Sequence, residues 1–323
     1  MRTRRFGRTD WQVSEVGCGM WGMGSWSGSH DPESLAALDL AVDLGCTFFD
    51  TALAYGDGRS ERLLGRLVRM HPGETLYTAT KIPPKNRQWP SRRGMALEEV
   101  FPPDHIQASV ERSLENAGLE EFDLVQFHVW EDEWCEREEW RQAAAELRDQ
   151  GLCRAIGISL NRWEPWNGLR TVESGAVDAV QVIYNIFDQA PEDELFPACR
   201  EHDVAVIARV PFDEGSLTGG LRRDSSWPEG DWRNTYFVPE NLSATVERAE
   251  ALRELLPEGM SLAELALRFI LSNPAVSTVI PGMRKLRHVQ ENCACSDKGP
   301  LPPELREALR AHRWDREPTA WSQ

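Results

Sequence analysis

The 323-residue chain has no uninterrupted apolar run approaching the ~18 residues of a membrane span, so no transmembrane helix is expected. No apolar segment follows the basic start MRTRRFGRTD, so a signal peptide is not expected either. Positive charge is in deficit. Lys and Arg number 36 against 52 Asp and Glu, a formal net charge of −16, which opposes a nucleic-acid partner. The seven cysteines (Cys18, Cys46, Cys135, Cys153, Cys199, Cys293, Cys295) form no C-x-x-C pair. Most sit inside apolar patterns, as free buried thiols do, and a reducing, cytoplasmic setting is expected. The seven histidines show no H-x-x-x-H or Cys/His ligand spacing, so no metal site is expected. No linker or low-complexity tract divides the chain, and residues 1–323 read as one domain.

What is present is a rhythm. Apolar runs fall near residues 16–20, 47–52, 76–82, 123–129, 154–159, 179–185, 205–211 and 277–282. Runs apolar on both faces suit parallel strands covered by helices. Helical patterns separate them, at 32–44, 60–69, 104–117, 136–149, 164–174 and 192–202, with two more near 243–256 and 261–272. Asp31, Ser60 and Asp104 stand as N-caps. Eight β–α alternations predict a (β/α)8 TIM barrel, with a doubly wound sheet as the alternative. Residues 4–6 and 12–15 flank Gly7 and Asp10 and predict a short β-hairpin ahead of the barrel. Two connections, 83–103 and 212–242, are long enough to expect function in them. The second carries Trp227, Trp232, Tyr236 and Phe237, either as a substrate wall or as anchors of the loop.

Polar residues interrupt the apolar runs at matching places. Asp50 ends FFD, with Tyr55 five positions on; Lys81 nearly ends LYTATKI; His128 nearly ends DLVQFHVW. A barrel keeps its chemistry at such strand ends and in the loops after them. An ammonium beside a phenol favours the phenolate and lowers the phenol pKa. Lys81 can supply the ammonium, Asp50 can hold it, and His128 can orient a carbonyl oxygen. Such a set delivers a proton to a carbonyl, and the carbon then needs a hydride from a nicotinamide cofactor. GCGMWG (17–22) matches a dinucleotide fingerprint, but no helix can open before about Asp31, so a loop is the better reading. Arg284, Lys285 and Arg287 follow VIPG (279–282), either as a solvated helix start or as an anion site.

Together, RRFGRTDWQVSEVGCGMWG (4–22), LGCTFFDTALAYGDGRSERLLGRLV (44–68), ATKI (79–82), the Phe127–His128 pair, GIS (157–159), QVIYN (181–185) and IPGMRKLRHVQEN (280–292) resemble the aldo-keto reductases along almost the whole chain. The resemblance implies a (β/α)8 barrel that binds NADPH/NADP+ and reduces aldehydes and ketones. It implies Tyr55 as general acid, tuned by Lys81 and Asp50, with His128 orienting the carbonyl. Ser159 and Gln181 would meet the nicotinamide carboxamide, with Asn161 beside them. Arg209 would stack on the ring. Gly282 would let the backbone approach, Arg284 would take the 2′-phosphate, and Glu291 and Asn292 would contact the adenine. Trp26 and Trp130 follow the first and fourth runs and are expected to wall the substrate pocket, with core packing as the alternative. Leu160 after Ser159, Val210 after Arg209 and His288 depart from the family's common residues. The expected partner is a small carbonyl substrate. A cofactor-binding regulatory or scaffold protein of the same fold is the rival. The physiological substrate, the preferred direction and the oligomeric state are not legible.

Overall fold

The computed structural model describes residues 1–24 and 28–322. A hairpin of β1 (Thr3–Arg5) and β2 (Gln12–Ser14) leads into eight parallel strands: β3 (Cys18–Gly19), β4 (Phe48–Asp50), β5 (Tyr77–Ile82), β6 (Phe122–Phe127), β7 (Cys153–Ser159), β8 (Ala179–Ile183), β9 (Ala205–Arg209) and β10 (Val276–Val279). Each pairs with the next in chain order. Parallel bridges Val16↔Val279 and Gly19↔Gly282 join the first strand to the last, so the sheet closes into a (β/α)8 barrel. Every expected strand is found, and the doubly wound alternative is set aside because a closed sheet has no switch point.

The helices follow the expected rhythm with different starts. The first spans Asp31–Asp43, and His30 rather than Asp31 holds the N-cap position. The second starts at Arg59 behind Gly58, which adopts a left-handed conformation. Ser60 does not cap it; its hydroxyl turns inward to the carbonyl of Met20 at 3.1 Å. Asp104 likewise lies one residue inside a helix that opens at Pro103. Ser261 does cap its helix, accepting from the Glu264 amide at 3.1 Å.

The barrel interior explains the polar interruptions. Side chains alternate in and out along a strand, so residues two apart share a face. At the amino end the inward layer is Phe48, Ala79, Leu124, Ala155, Ala179 and Ala205, packed with Phe6 and Trp11 of the hairpin segment. The alanines leave room for these rings, and Phe6 stacks on Phe48 at 5.3 Å. Two residues further on, in the same phase, stand Asp50, Lys81, Gln126, Gly157 and Gln181. The barrel is therefore plugged by hydrocarbon below and floored by polar groups at its carboxyl mouth.

Candidate active site

Lys81 and Asp50 are both almost fully buried, at 1% and 2% exposure, and their side chains form an ion pair. Lys81 Nζ also donates to the Thr51 carbonyl at 2.8 Å and to the Tyr55 hydroxyl at 3.4 Å. The three hydrogens of the ammonium thus have three acceptors. With its oxygen taking a bond from Lys81, Tyr55 keeps its own hydrogen for a partner in the cavity it lines. Backbone fixes this placement. Gly56, at φ +67°, lies so close to Gly24 that an added Cβ would sit 2.1 Å from the Gly24 carbonyl oxygen. Any side chain there would push the Tyr55 turn away from the loop after β3.

The second oxygen of Asp50 accepts from Gln126 Nε2 at 3.1 Å and from Gln181 Nε2 at 2.9 Å. Gln181 Nε2 also donates to Gln126 Oε1 at 3.2 Å. Sequence reasoning did not single out Gln126. Its signal was its phase, since it faces inward with Lys81, its register partner across β5 and β6.

His128 follows β6, its amide held by the Ile82 carbonyl at 3.0 Å. Its ring lies edge-on to Tyr55 at 5.6 Å and to Trp89 at 4.6 Å. Burial holds its pKa well below the usual histidine value, aided by Lys81 and Arg209, so the imidazole is neutral. Its Nδ1 is buried without a protein hydrogen bond. Burial raises the Tyr55 pKa above the usual phenol value, as does Asp50, while Lys81 and Arg209 oppose the rise. The sequence-based expectation of a lowered phenol pKa is corrected here: Lys81 acts in the expected direction, but loss of solvent outweighs it.

A cavity of about 820 Å³ joins these groups to the far residues. It is lined by Tyr55, His128, Ser159, Gln181 and Arg209 at one end and by Gly282, Arg284, Arg287, Glu291 and Asn292 at the other. Arg209 donates to the Leu160 carbonyl at 2.9 Å, and burial with nearby Arg162 brings its pKa down to about 10. Its Nε is buried without a partner. Arg284 precedes the helix Leu286–Lys298, whose first turn contains no acidic residue and whose N-cap, Lys285, makes no side-chain cap bond. A Cβ built on Gly282 would meet nothing within 4 Å. An unpartnered arginine donor at one end, and a cationic helix start beside an open glycine at the other, fit an anionic dinucleotide.

Two expectations change. Trp130 does not wall the cavity. It is fully buried, packs on Phe127, Trp134 and Trp140, and donates from Nε1 to Thr171 at 2.9 Å. The strand end turns His128 and Val129 to the cavity and Trp130 into the core. Asn161 lines the cavity, but both ends of its amide are engaged. Nδ2 lies within bonding distance of Ser91, the Trp130 carbonyl and Glu131, and Oδ1 accepts from Ser91. It ties loops together rather than presenting a free amide. Trp26 lies outside the described residues. The walls that sequence reasoning missed are Trp89 and Pro90, Arg162 paired with Glu214 at 2.5 Å, and Pro318 and Ser322 near the carboxyl end. Of the aromatic loop, Trp232 lines the cavity, while Trp227, Tyr236 and Phe237 pack together with Trp163.

The profile of the Aldo/keto reductase family matches residues 15–313. The chain belongs to the aldo/keto reductase family. It is 28% identical over 314 residues to the uncharacterized oxidoreductase YqkF of Bacillus subtilis, covering 97% of this chain and 96% of that one. It is 28% identical over 313 residues to the NADH-specific methylglyoxal reductase of Escherichia coli, covering 91% and 93%. The holo form of aldo-keto reductase AKR11C1 from Bacillus halodurans superposes with a TM-score of 0.76 at 25% identity, covering all of both chains. Family membership makes this protein an oxidoreductase of carbonyl chemistry. Among the described residues, no helix is long and apolar enough to cross a membrane, and no cluster of His, Cys, Asp or Glu is arranged for a metal.

Proposed function

We propose that the protein, a single domain over residues 1–323, is an NADPH-dependent reductase that converts an aldehyde or ketone to an alcohol, with Tyr55 as proton donor. One observation carries the reading: Lys81 fills its three hydrogen bonds with Asp50, Thr51 and Tyr55, which leaves the phenol proton for a partner in the cavity. A phenol whose pKa is raised by burial keeps that proton at neutral pH. Lys81 then stabilises the oxygen as the proton leaves. Neutral His128, beside Tyr55, donates a hydrogen bond to the carbonyl oxygen and orients it.

The nicotinamide, when bound, supplies the hydride. Ser159 and Gln181 would hold its carboxamide, and the Arg209 guanidinium would support the ring. Gly282, just after the last barrel strand, would let the backbone approach the dinucleotide, Arg284 would take the 2′-phosphate, and Glu291 and Asn292 would contact the adenine. The Escherichia coli relative is NADH-specific by name. The NADPH assignment therefore rests on the cationic side chains Arg284, Lys285 and Arg287 at the helix start, whose first turn holds no acidic residue. Seven free buried thiols fit a reducing, cytoplasmic setting.

The test is loss of reduced-nicotinamide absorbance with a panel of aldehydes and ketones, for wild type and Tyr55→Phe. Turnover with NADPH that disappears in Tyr55→Phe is expected. No turnover with any carbonyl, or an unchanged rate in the variant, overturns the reading in favour of a cofactor-binding protein without catalysis.

A further inference from the structure

The floor of the cavity has a direction. Gln181 spends both hydrogens of its amide nitrogen inside the protein, one on Asp50 at 2.9 Å and one on Gln126 Oε1 at 3.2 Å. It lines the cavity and has only its carbonyl oxygen left to show there. A glutamine amide can ordinarily turn over and offer either end to a ligand. Here turning is blocked from two sides. Asp50 accepts only, and Gln126 gives its own nitrogen to Asp50 at 3.1 Å, so its oxygen is the atom left to face Gln181. Gln126 is itself confined. It is fully buried, and its register partner on β7 is Gly157, where an added Cβ would stand 3.2 Å from Gln126 Cγ and 2.9 Å from the Ala179 carbonyl oxygen. The glycine opens the space that the Gln126 side chain fills.

We propose that Gln126 is a positioning residue that takes up the second amide hydrogen of Gln181, so that the floor presents an acceptor alone and selects ligands carrying an N–H there. The selected group is the carboxamide NH₂ of the nicotinamide, so this inference rests on the function proposed above. The same carboxylate, Asp50, holds Lys81 on its other oxygen. Gln126 thereby ties the orientation of the cofactor amide to the groups that place Tyr55.

The experiment measures dissociation constants by quenching of intrinsic fluorescence, with no turnover required. The probes are NADPH and its acetylpyridine analogue, in which a methyl ketone replaces the carboxamide and no N–H remains. Wild type is expected to prefer the carboxamide by about tenfold, the worth of a buried hydrogen bond lost with its acceptor left unpaired. In Gln126→Met the second hydrogen of Gln181 Nε2 loses its acceptor while the first stays on Asp50; that hydrogen can then bond the ketone, and the preference is expected to fall below about twofold. Gln126→Asn, which keeps an amide but is too short to reach both partners, repeats that loss in a floor that stays polar. Gln126→Glu, held protonated by burial beside the Asp50 carboxylate, still donates to Asp50 and offers Gln181 an acceptor, and is expected to retain the preference, which a role in packing alone would not predict. A preference unchanged in Gln126→Met and Gln126→Asn, or absent from wild type, overturns the proposal. Failure of wild type to bind either dinucleotide overturns it in a different way, by removing the nicotinamide itself and with it the reading of function.

Discussion

The two ends of the cavity are built on opposite principles. On the floor beneath Tyr55 the two charges sit on strands, buried and matched: Lys81 faces Asp50, and two glutamines complete the carboxylate. At the other end they sit at the start of a helix, exposed and mostly of one sign; the Arg287 side chain is 76% exposed. Burial accounts for the difference. An uncompensated charge inside the barrel would cost several kcal/mol, so the floor must be neutral as a set. Solvent screens the helix start, which can keep a surplus of cation for an anion. The first end acts by orientation, the second by attraction, and substitutions should separate the two.

The largest effect is expected at the buried end. Tyr55→Phe should lower kcat by about 10²- to 10⁴-fold, the usual worth of a positioned acid. Its NADPH affinity should stay within about twofold, because the ring still fills its place. Next comes stability. Lys81→Met leaves Asp50 buried opposite no cation and should cost about 3–5 kcal/mol in denaturant unfolding. Adding Asp50→Asn should restore much of that while activity stays lost; failure to restore would mean that the matched pair is not what the floor requires.

The pH profile sharpens the same contrast. With His128 held neutral, reduction should show no inflection where an ordinary histidine titrates, near pH ~6.5. Reduction needs the protonated phenol. Because burial raises the Tyr55 pKa, the descending limb should lie above pH ~10, not below it. A limb near neutrality that disappears in Tyr55→Phe would show that Lys81 outweighs burial once the cofactor is in place.

The strands and the inward-facing Asp50 and Lys81 were legible because they obey a short period. An inward face every second residue carries Phe48 then Asp50, and Ala79 then Lys81, and this pattern survives without coordinates. Gln126 obeyed the same period and was passed over because an uncharged side chain in an apolar run draws no attention. What the chain did not reveal depends on where loops turn. Trp130 and His128 lie two residues apart, yet one enters the core and the other meets the cavity, because the strand ends at Phe127, before both, and strict alternation ends with it. Asn161 looked like a ligand residue from its place after Ser159, whereas its partners Ser91, Trp130 and Glu131 come from two other loops. The walls at Pro318 and Ser322 depend on Arg316, which is buried on Asp188 at 2.5 Å and Asp213 at 2.8 Å and lies over the ring of Trp163. No local pattern announces a contact between residues more than a hundred positions apart.

The smallest effects are expected at the exposed end, and they test the comparison most finely. Arg284→Ala should weaken NADPH by about tenfold, a loss of about 1.4 kcal/mol, and leave NADH within about twofold, since only NADPH carries the 2′-phosphate. Added salt should shrink the wild-type preference toward that of the variant, because an interaction at a solvent-facing helix start is screened. Arg287→Ala should do less, about twofold, because that side chain is already shared with Glu291 at 3.4 Å and is largely solvated. Neither substitution should move kcat at saturating cofactor, as neither touches the floor. A tenfold fall in kcat with Arg284→Ala, or an NADPH preference that ignores both salt and this residue, would mean that the helix start does more than attract. The division between a buried end that orients and an exposed end that attracts would then have to be redrawn along the loop between Gly282 and Leu286.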